Sequence, residues 1–270
     1  MNSEPTPGRA VGRRRRRQRK GRRGHYLWPQ LLTTGNLFWG FFAIIQSHAG
    51  HFDRAALGIF LAGLCDVLDG RVARLSRSTS AFGREYDSIA DVVSFGVAPA
   101  ILAFEAGNLS ALARTGWILA FLYTACAGLR LARFNVSPSR FRGRFEGLPS
   151  PVAAGTVAST QWFVSFLRER GVTIDVPEVA VALSLTGLGL LMVSAVPYRS
   201  FKELDLRHSY RTVVVSVLAL AVLVQEPSIT FFAMSVGYLT LGPVEWLWRY
   251  LSGKPIEELS EALDPPEEVT

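Results

Sequence analysis

Eight long apolar blocks, near residues 30–48, 55–73, 85–104, 116–134, 151–167, 178–196, 212–224 and 228–247, leave this chain few folds to choose from. The hydrocarbon core of a bilayer is ~30 Å thick, and a helix crosses it with roughly 20 predominantly apolar residues. A soluble domain of this size does not carry its hydrophobic residues, 49% of the chain, in runs of that length. The expected fold class is therefore all-α: a polytopic transmembrane helical bundle of six to eight spans. The block at 212–224 is short, which leaves either a tilted helix extended into 207–211 or a re-entrant hairpin.

Charge fixes the expected orientation. With eight spans and an internal N-terminus, twenty-five of the 29 Lys and Arg residues fall on one side. Only Arg54, Arg114, Arg168 and Arg170 fall on the other. That asymmetry is the positive-inside pattern and places both termini in the cytoplasm. Inverting the topology would put the basic loops outside. The net charge of +7 is thus a property of loops and tail, and it gives no reason to expect nucleic acid as a partner.

Three regions follow. Residues 1–26 form a basic tail, with Arg13 to Arg17, Arg19, Lys20, Arg22 and Arg23 in succession. Such a run is too charged to order itself and is expected to rest on anionic lipid headgroups, worth ~1 kcal/mol per basic residue near the surface. Residues 27–250 form one membrane domain, and residues 251–270 an acidic cytoplasmic tail. Cys65 and Cys126 lie inside apolar blocks and read as small hydrophobes. His25, His48, His51 and His208 show no zinc spacing.

Chemistry concentrates where the second and third blocks meet. An Asp at the centre of a membrane helix costs roughly 2.5–3.5 kcal/mol on insertion scales. Yet Asp66 and Asp69 are spaced i,i+3, and Asp87 and Asp91 are spaced i,i+4, so each pair shares one helix face. A short loop around Ser76–Ala81 makes the two helices antiparallel neighbours, so the acidic faces can converge near the cytoplasmic boundary. Four carboxylates this close repel one another, and divalent cations resolve the repulsion. All-oxygen ligation suits Mg²⁺, Mn²⁺ or Ca²⁺ rather than zinc. Two such ions ~3.5–4 Å apart form the clamp used in phosphoryl displacement. Gly70, Ala73 and Gly83 remove side chain where a ligand would approach, and Arg71 and Arg74 supply cations for phosphate oxygens.

Asp66, Asp69, Gly70, Ala73, Arg74, Gly83, Asp87 and Asp91 match, at every fixed position, the pattern D-x2-D-G-x2-A-R-x8-G-x3-D-x3-D. The chain therefore resembles the CDP-alcohol phosphatidyltransferase family. The resemblance implies that Asp66, Asp69, Asp87 and Asp91 bind two metal ions and that Asp91 is the catalytic general base. It implies that Gly70, Arg74 and Ser80 contact a CDP-lipid, with Ala73 and Gly83 beside them. Pro29-Gln30-Leu31-Leu32-Thr33-Thr34-Gly35-Asn36 is similar to the opening P-N-x-x-T-x-G-N of the serine-using branch, which adds Gln30 and Thr33 to the lipid contacts. Gln30 replaces the usual Asn there and keeps the amide with one more methylene.

Residues Asp87–Ala100, Leu129–Asn135 and Gly147–Pro151 also resemble that phosphatidylserine synthase branch. The implied reaction is transfer of the phosphatidyl group of CDP-diacylglycerol to L-serine, at an active site facing the cytoplasm in the cell (inner) membrane, by an enzyme expected to be a homodimer. Serine needs a cation for its carboxylate. Arg130 and Arg133, spaced i,i+3, with Asn135 and Ser94, are the expected acceptor contacts. Positive-inside snorkelling explains either arginine equally well. Glycerol phosphate or inositol phosphate would ask for more cations, which Arg140, Arg142 and Arg144 could supply, so those acceptors stay open. A cation transporter would spread its acids across membrane depth, whereas here they cluster on one side beside arginines.

Overall fold

The computed structural model describes residues 27–75, 80–136, 144–199 and 225–252. Among these, seven long helices carry seven of the eight apolar blocks: α1 (Leu27–His48), α2 (Phe52–Leu75), α3 (Ala81–Ala106), α4 (Arg114–Val136), α5 (Ser150–Glu169), α6 (Glu178–Val193) and α7 (Pro227–Leu251). The block at 212–224, the basic tail, the loop residues 76–79 and most of the acidic tail lie outside the described residues. By length and composition α3 and α4 qualify to cross a membrane, and α6 is apolar but shorter.

The residue distribution on α1 shows what surrounds the bundle. Its inward face carries Thr33, Asn36, Gly40, Ala43 and Ser47, all small or polar. Its outward face exposes Leu31, Phe38, Phe41 and Ile45. The exposed Trp117 and Phe121 of α4 and Leu183 and Leu190 of α6 continue the pattern. In water such an arrangement would expose a large apolar patch, whereas in lipid it is the expected one.

With apolar surface outside, close approach of small residues holds the helices together. Seven of the ten buried residues in the cluster among α1, α2, α3 and α5 are alanine. A close approach joins α1 to α3, where a Cβ on Gly40 would meet the Ser94 Oγ and lie 2.7 Å from the Ser94 Cα. The α1–α2 hairpin closes through Gly50 at φ +75, with the His51 N–H donating to the Gln46 carbonyl at 2.9 Å.

One feature lies outside the expected all-helical description. Arg144–Glu146 (β1) and Pro197–Arg199 (β2) pair antiparallel, with Phe145 opposite Tyr198. Three residues are too few for an alternating pattern to register in a sequence. The pair forms where the segments before α5 and after α6 pass one another. Gly147, at φ +74, lies against the backbone carbonyls of Met192 and Ser194, where a Cβ has no room. Arg144 donates to Glu245 of α7 at 2.8 Å, and the Tyr198 hydroxyl donates to the Leu239 carbonyl at 3.2 Å. These contacts tie the strand pair to the last helix.

Substituting Gly40 by Val is expected to destabilise the protein by ~1–3 kcal/mol, because the Ser94 backbone, as well as its hydroxyl, opposes the added atoms. Thermal unfolding in detergent would show a lower midpoint, and an unchanged midpoint would contradict the α1–α3 contact.

Candidate active site

The site forms where the start of α1, the end of α2, the start of α3 and the end of α4 meet. On α2, Asp66 and Asp69 share a face, as their i,i+3 spacing requires. The first part of α3, Ala81–Asp91, begins at Ser80, whose hydroxyl oxygen accepts the Gly83 N–H at 2.9 Å. That cap fixes where the helix starts and therefore which way Asp87 and Asp91 point.

Asp66, Asp69 and Asp87 each offer a carboxylate oxygen within 4.8 Å of the others. The Asp69 Oδ2 accepts from the Thr33 hydroxyl of α1 at 3.0 Å, while the Asp87 Oδ1 is buried with no hydrogen-bond partner among the described residues. A buried carboxylate oxygen left bare is costly unless a cation serves it. Three convergent carboxylates, one of them with an orphaned oxygen, fit a hard divalent ion.

Asp91 stands beside this trio, within electrostatic reach of Asp66, Asp87 and Asp69, but outside the group of converging ligand atoms. It is buried, and its Oδ1 accepts from the Asn36 side-chain amide at 2.9 Å. Asn36 is itself fully buried on α1. Its carbonyl takes the Ser94 hydroxyl at 2.9 Å. One residue of α1 thus holds both Asp91 and the turn of α3 that follows it.

The other expected site residues fall into two groups. Among the described residues nothing lies within 4 Å of where a side-chain methyl on Gly70 would sit, so its backbone is approachable. Arg71 and Arg74 are exposed on the same stretch of α2, where Ala73 also lies. Gln30 is partly buried one turn before Thr33 and Thr34, and its carbonyl accepts the Thr34 hydroxyl at 2.8 Å. Arg130 is buried, donates to the Ser150 hydroxyl at 3.2 Å, and lies within electrostatic reach of Asp91 and Tyr238. Its Nε has no hydrogen-bond partner among the described residues.

The second group is engaged in holding the fold. Arg133 spends its guanidinium on three backbone carbonyls, those of Val193 and Glu146 at 3.1 Å and Ser194 at 3.4 Å. It therefore clamps the end of α6 to β1 instead of facing the acids. Ser94 is wholly buried against Gly40 and Asn36, behind Asp91, so its packing removes it from any acceptor surface. Asn135 bridges α4 to α3 by donating to the Ser88 hydroxyl at 2.8 Å.

The sequence profile of the CDP-alcohol phosphatidyltransferase family matches residues 26–240. The chain belongs to that family. Among its relatives, a CDP-diacylglycerol–serine O-phosphatidyltransferase of Helicobacter pylori is 32% identical over 225 residues, covering 83% of this chain and 92% of that protein. One of the same name from Bacillus subtilis is 34% identical, covering 65% of this chain and 91% of that protein. An archaetidylserine synthase of Methanothermobacter thermautotrophicus is 35% identical, covering 63% and 68%.

For this phosphatidyltransferase the most informative residue absent from the expected site set is Asn36. Its signal is present in the sequence: a fully polar amide inside an apolar block, three residues after Thr33 and so on the same helix face. Asn36→Ala is expected to lower turnover about 10- to 100-fold by removing a hydrogen bond to a carboxylate. The rate per mole of purified, folded protein checks this, and a wild-type rate would contradict the role of the amide in holding Asp91.

Proposed function

We propose that this phosphatidyltransferase moves the phosphatidyl group of CDP-diacylglycerol onto L-serine, giving phosphatidylserine and CMP. The observation that carries the reading is the convergence of Asp66, Asp69 and Asp87 with Asp91 alongside, on the residues of the family pattern. The serine acceptor is supported by relatives named for serine or archaetidylserine chemistry in both bacteria and an archaeon.

In this reading Asp66, Asp69 and Asp87, completed by Asp91, would hold two divalent ions, Mg²⁺ or Mn²⁺. The ions would neutralise charge on the diphosphate and on departing CMP. Gly70 lets the diphosphate approach the α2 backbone, and Arg74 meets phosphate oxygens from the rim. Thr33 orients Asp69, Gln30 lies one turn before it, and the Ser80 cap with Gly83 fixes the start of α3. Asp91, held by Asn36, takes the proton of the serine hydroxyl. The serine oxygen attacks the phosphorus that bears the diacylglycerol, and the bond from that phosphorus to CMP breaks in line. Arg130, a buried guanidinium beside Asp91, is the natural holder of the serine carboxylate.

The setting belongs to the same proposal. A multi-pass bundle of six to eight spans, with both termini and the acid cluster at the cytoplasmic side of the cell membrane, is supported by the basic-residue asymmetry. Arg130, Arg133 and Arg144 lie at the end of the bundle that holds the acids, and the Arg170–Glu226 pair at 2.6 Å lies at the other. The basic tail rests on anionic lipid, and the enzyme works as a homodimer.

Two outcomes test the chemistry. Purified enzyme with CDP-diacylglycerol and Mn²⁺ is expected to release CMP with L-serine and not with glycerol phosphate or inositol phosphate. Preference for a phosphorylated acceptor would overturn the serine assignment. Asp91→Asn is expected to abolish turnover while leaving the protein in the membrane, and exhaustive chelation is expected to stop the wild type until Mn²⁺ is restored. Activity that survives either treatment would contradict the assigned roles.

A further inference from the structure

The helix that carries Asp87 and Asp91 changes its winding directly after Asp91. Residues Val92–Val97 form a π-turn, and the Ala98 N–H reaches back five residues to the Val93 carbonyl. An α-helix advances ~100° per residue, so one extra residue in a turn rotates everything beyond it by about that much. The π-turn therefore sets the angle between the acidic face of α3 and its core face. Phe95, Ala98 and Leu102 pack into the alanine-rich core, while Asp91 stays aimed at the acids.

This winding leaves carbonyls to satisfy. In an α-helix the Phe95 carbonyl would take the N–H of residue 99, but residue 99 is proline and has none. The donor comes from the next helix. Tyr123 of α4, wholly buried, gives its hydroxyl to the Phe95 carbonyl at 3.2 Å. Thr124 gives its hydroxyl to the neighbouring Gly96 carbonyl, also at 3.2 Å. Neighbouring helices meet the backbone groups freed by proline in membrane proteins in this way. A phenol buried in an apolar cluster is costly unless its hydroxyl is bonded, and phenylalanine would fill the same space without that cost.

We infer that Tyr123 is a positioning residue for the transfer reaction: its hydroxyl, paired with Pro99, holds the π-turn that aims Asp91. The inference rests on the proposed role of Asp91. It assigns Tyr123 no contact with substrate. The hydroxyl acts on a carbonyl four residues beyond Asp91, across a turn whose other anchor is the Ser94–Asn36 bond.

The test compares wild type with Tyr123→Phe, Pro99→Ala and the double variant, each purified in detergent. Turnover and KM for CDP-diacylglycerol are measured, and Mn²⁺ bound without substrate is read from loss of the free-ion electron paramagnetic resonance signal. Tyr123→Phe is expected to lower kcat about tenfold while KM stays at the wild-type value and the protein still binds Mn²⁺ through Asp66, Asp69 and Asp87. Adding Pro99→Ala supplies an N–H at residue 99 and is expected to recover most of the lost kcat. A wild-type kcat in Tyr123→Phe would overturn the inference. So would a fall of kcat matched by an equal fall in the fraction of monodisperse protein on gel filtration, which marks loss of folded protein, or a double variant no better than Tyr123→Phe. If Tyr123→Phe does not accumulate, rescue by Pro99→Ala supports the pairing and lack of rescue overturns it. A wild type that binds no Mn²⁺ and turns over in chelator would instead refute the metal site and leave this comparison readable through kcat.

Discussion

Three carboxylates held within 4.8 Å of one another, in a bundle whose outer surface is apolar, set the terms for everything nearby. Their repulsion in a medium of low dielectric has to be met by positive charge. Among the described residues the fold supplies little of it at the point of convergence. Arg71 and Arg74 are exposed on α2, and Arg130 lies within electrostatic reach of Asp91, which is outside the converging trio. The fold instead supplies rigid aim: a capped start of α3, a Thr33 hydroxyl on Asp69 and an Asn36 amide on Asp91. A cluster that is firmly oriented and under-compensated is one built to receive cations.

The same logic explains the packing of the first three helices. To bring polar side chains of α1 onto α2 and α3, the backbones must approach closely, and small residues permit it. Gly40 against Ser94, and Gly58, where a Cβ would lie 3.0 Å from the Trp39 carbonyl, are the tightest of these contacts. The apolar residues excluded from that interface, such as Phe38 and Phe41, turn outward to lipid. Stability and site geometry on α1 are therefore one requirement met by alternating faces of a single helix.

Much of this is legible in the sequence. Apolar blocks mark the helices to within a few residues, and the spacing of Asp66, Asp69, Asp87 and Asp91 marks the site, because helix periodicity converts spacing into shared faces. What the spacing does not say is which oxygen meets which partner. Arg133 and Arg130 look alike as an i,i+3 pair, yet one caps α6 and the other stays beside Asp91. Ser94 sits three residues from Asp91 and looks available, yet the π-turn turns it into the α1 interface. Both differences come from tertiary contacts between residues about sixty apart in the chain. The β1–β2 pair is too short to leave a pattern.

The central claim is that the oxygens of Asp66, Asp69 and Asp87 together bind a divalent ion. Crystals of the protein soaked in Mn²⁺ and measured at a wavelength with strong manganese anomalous scattering test it directly. The expected result is an anomalous peak coordinated by all three carboxylates. Well-ordered side chains with no peak among them, or a peak held by other residues, would contradict it.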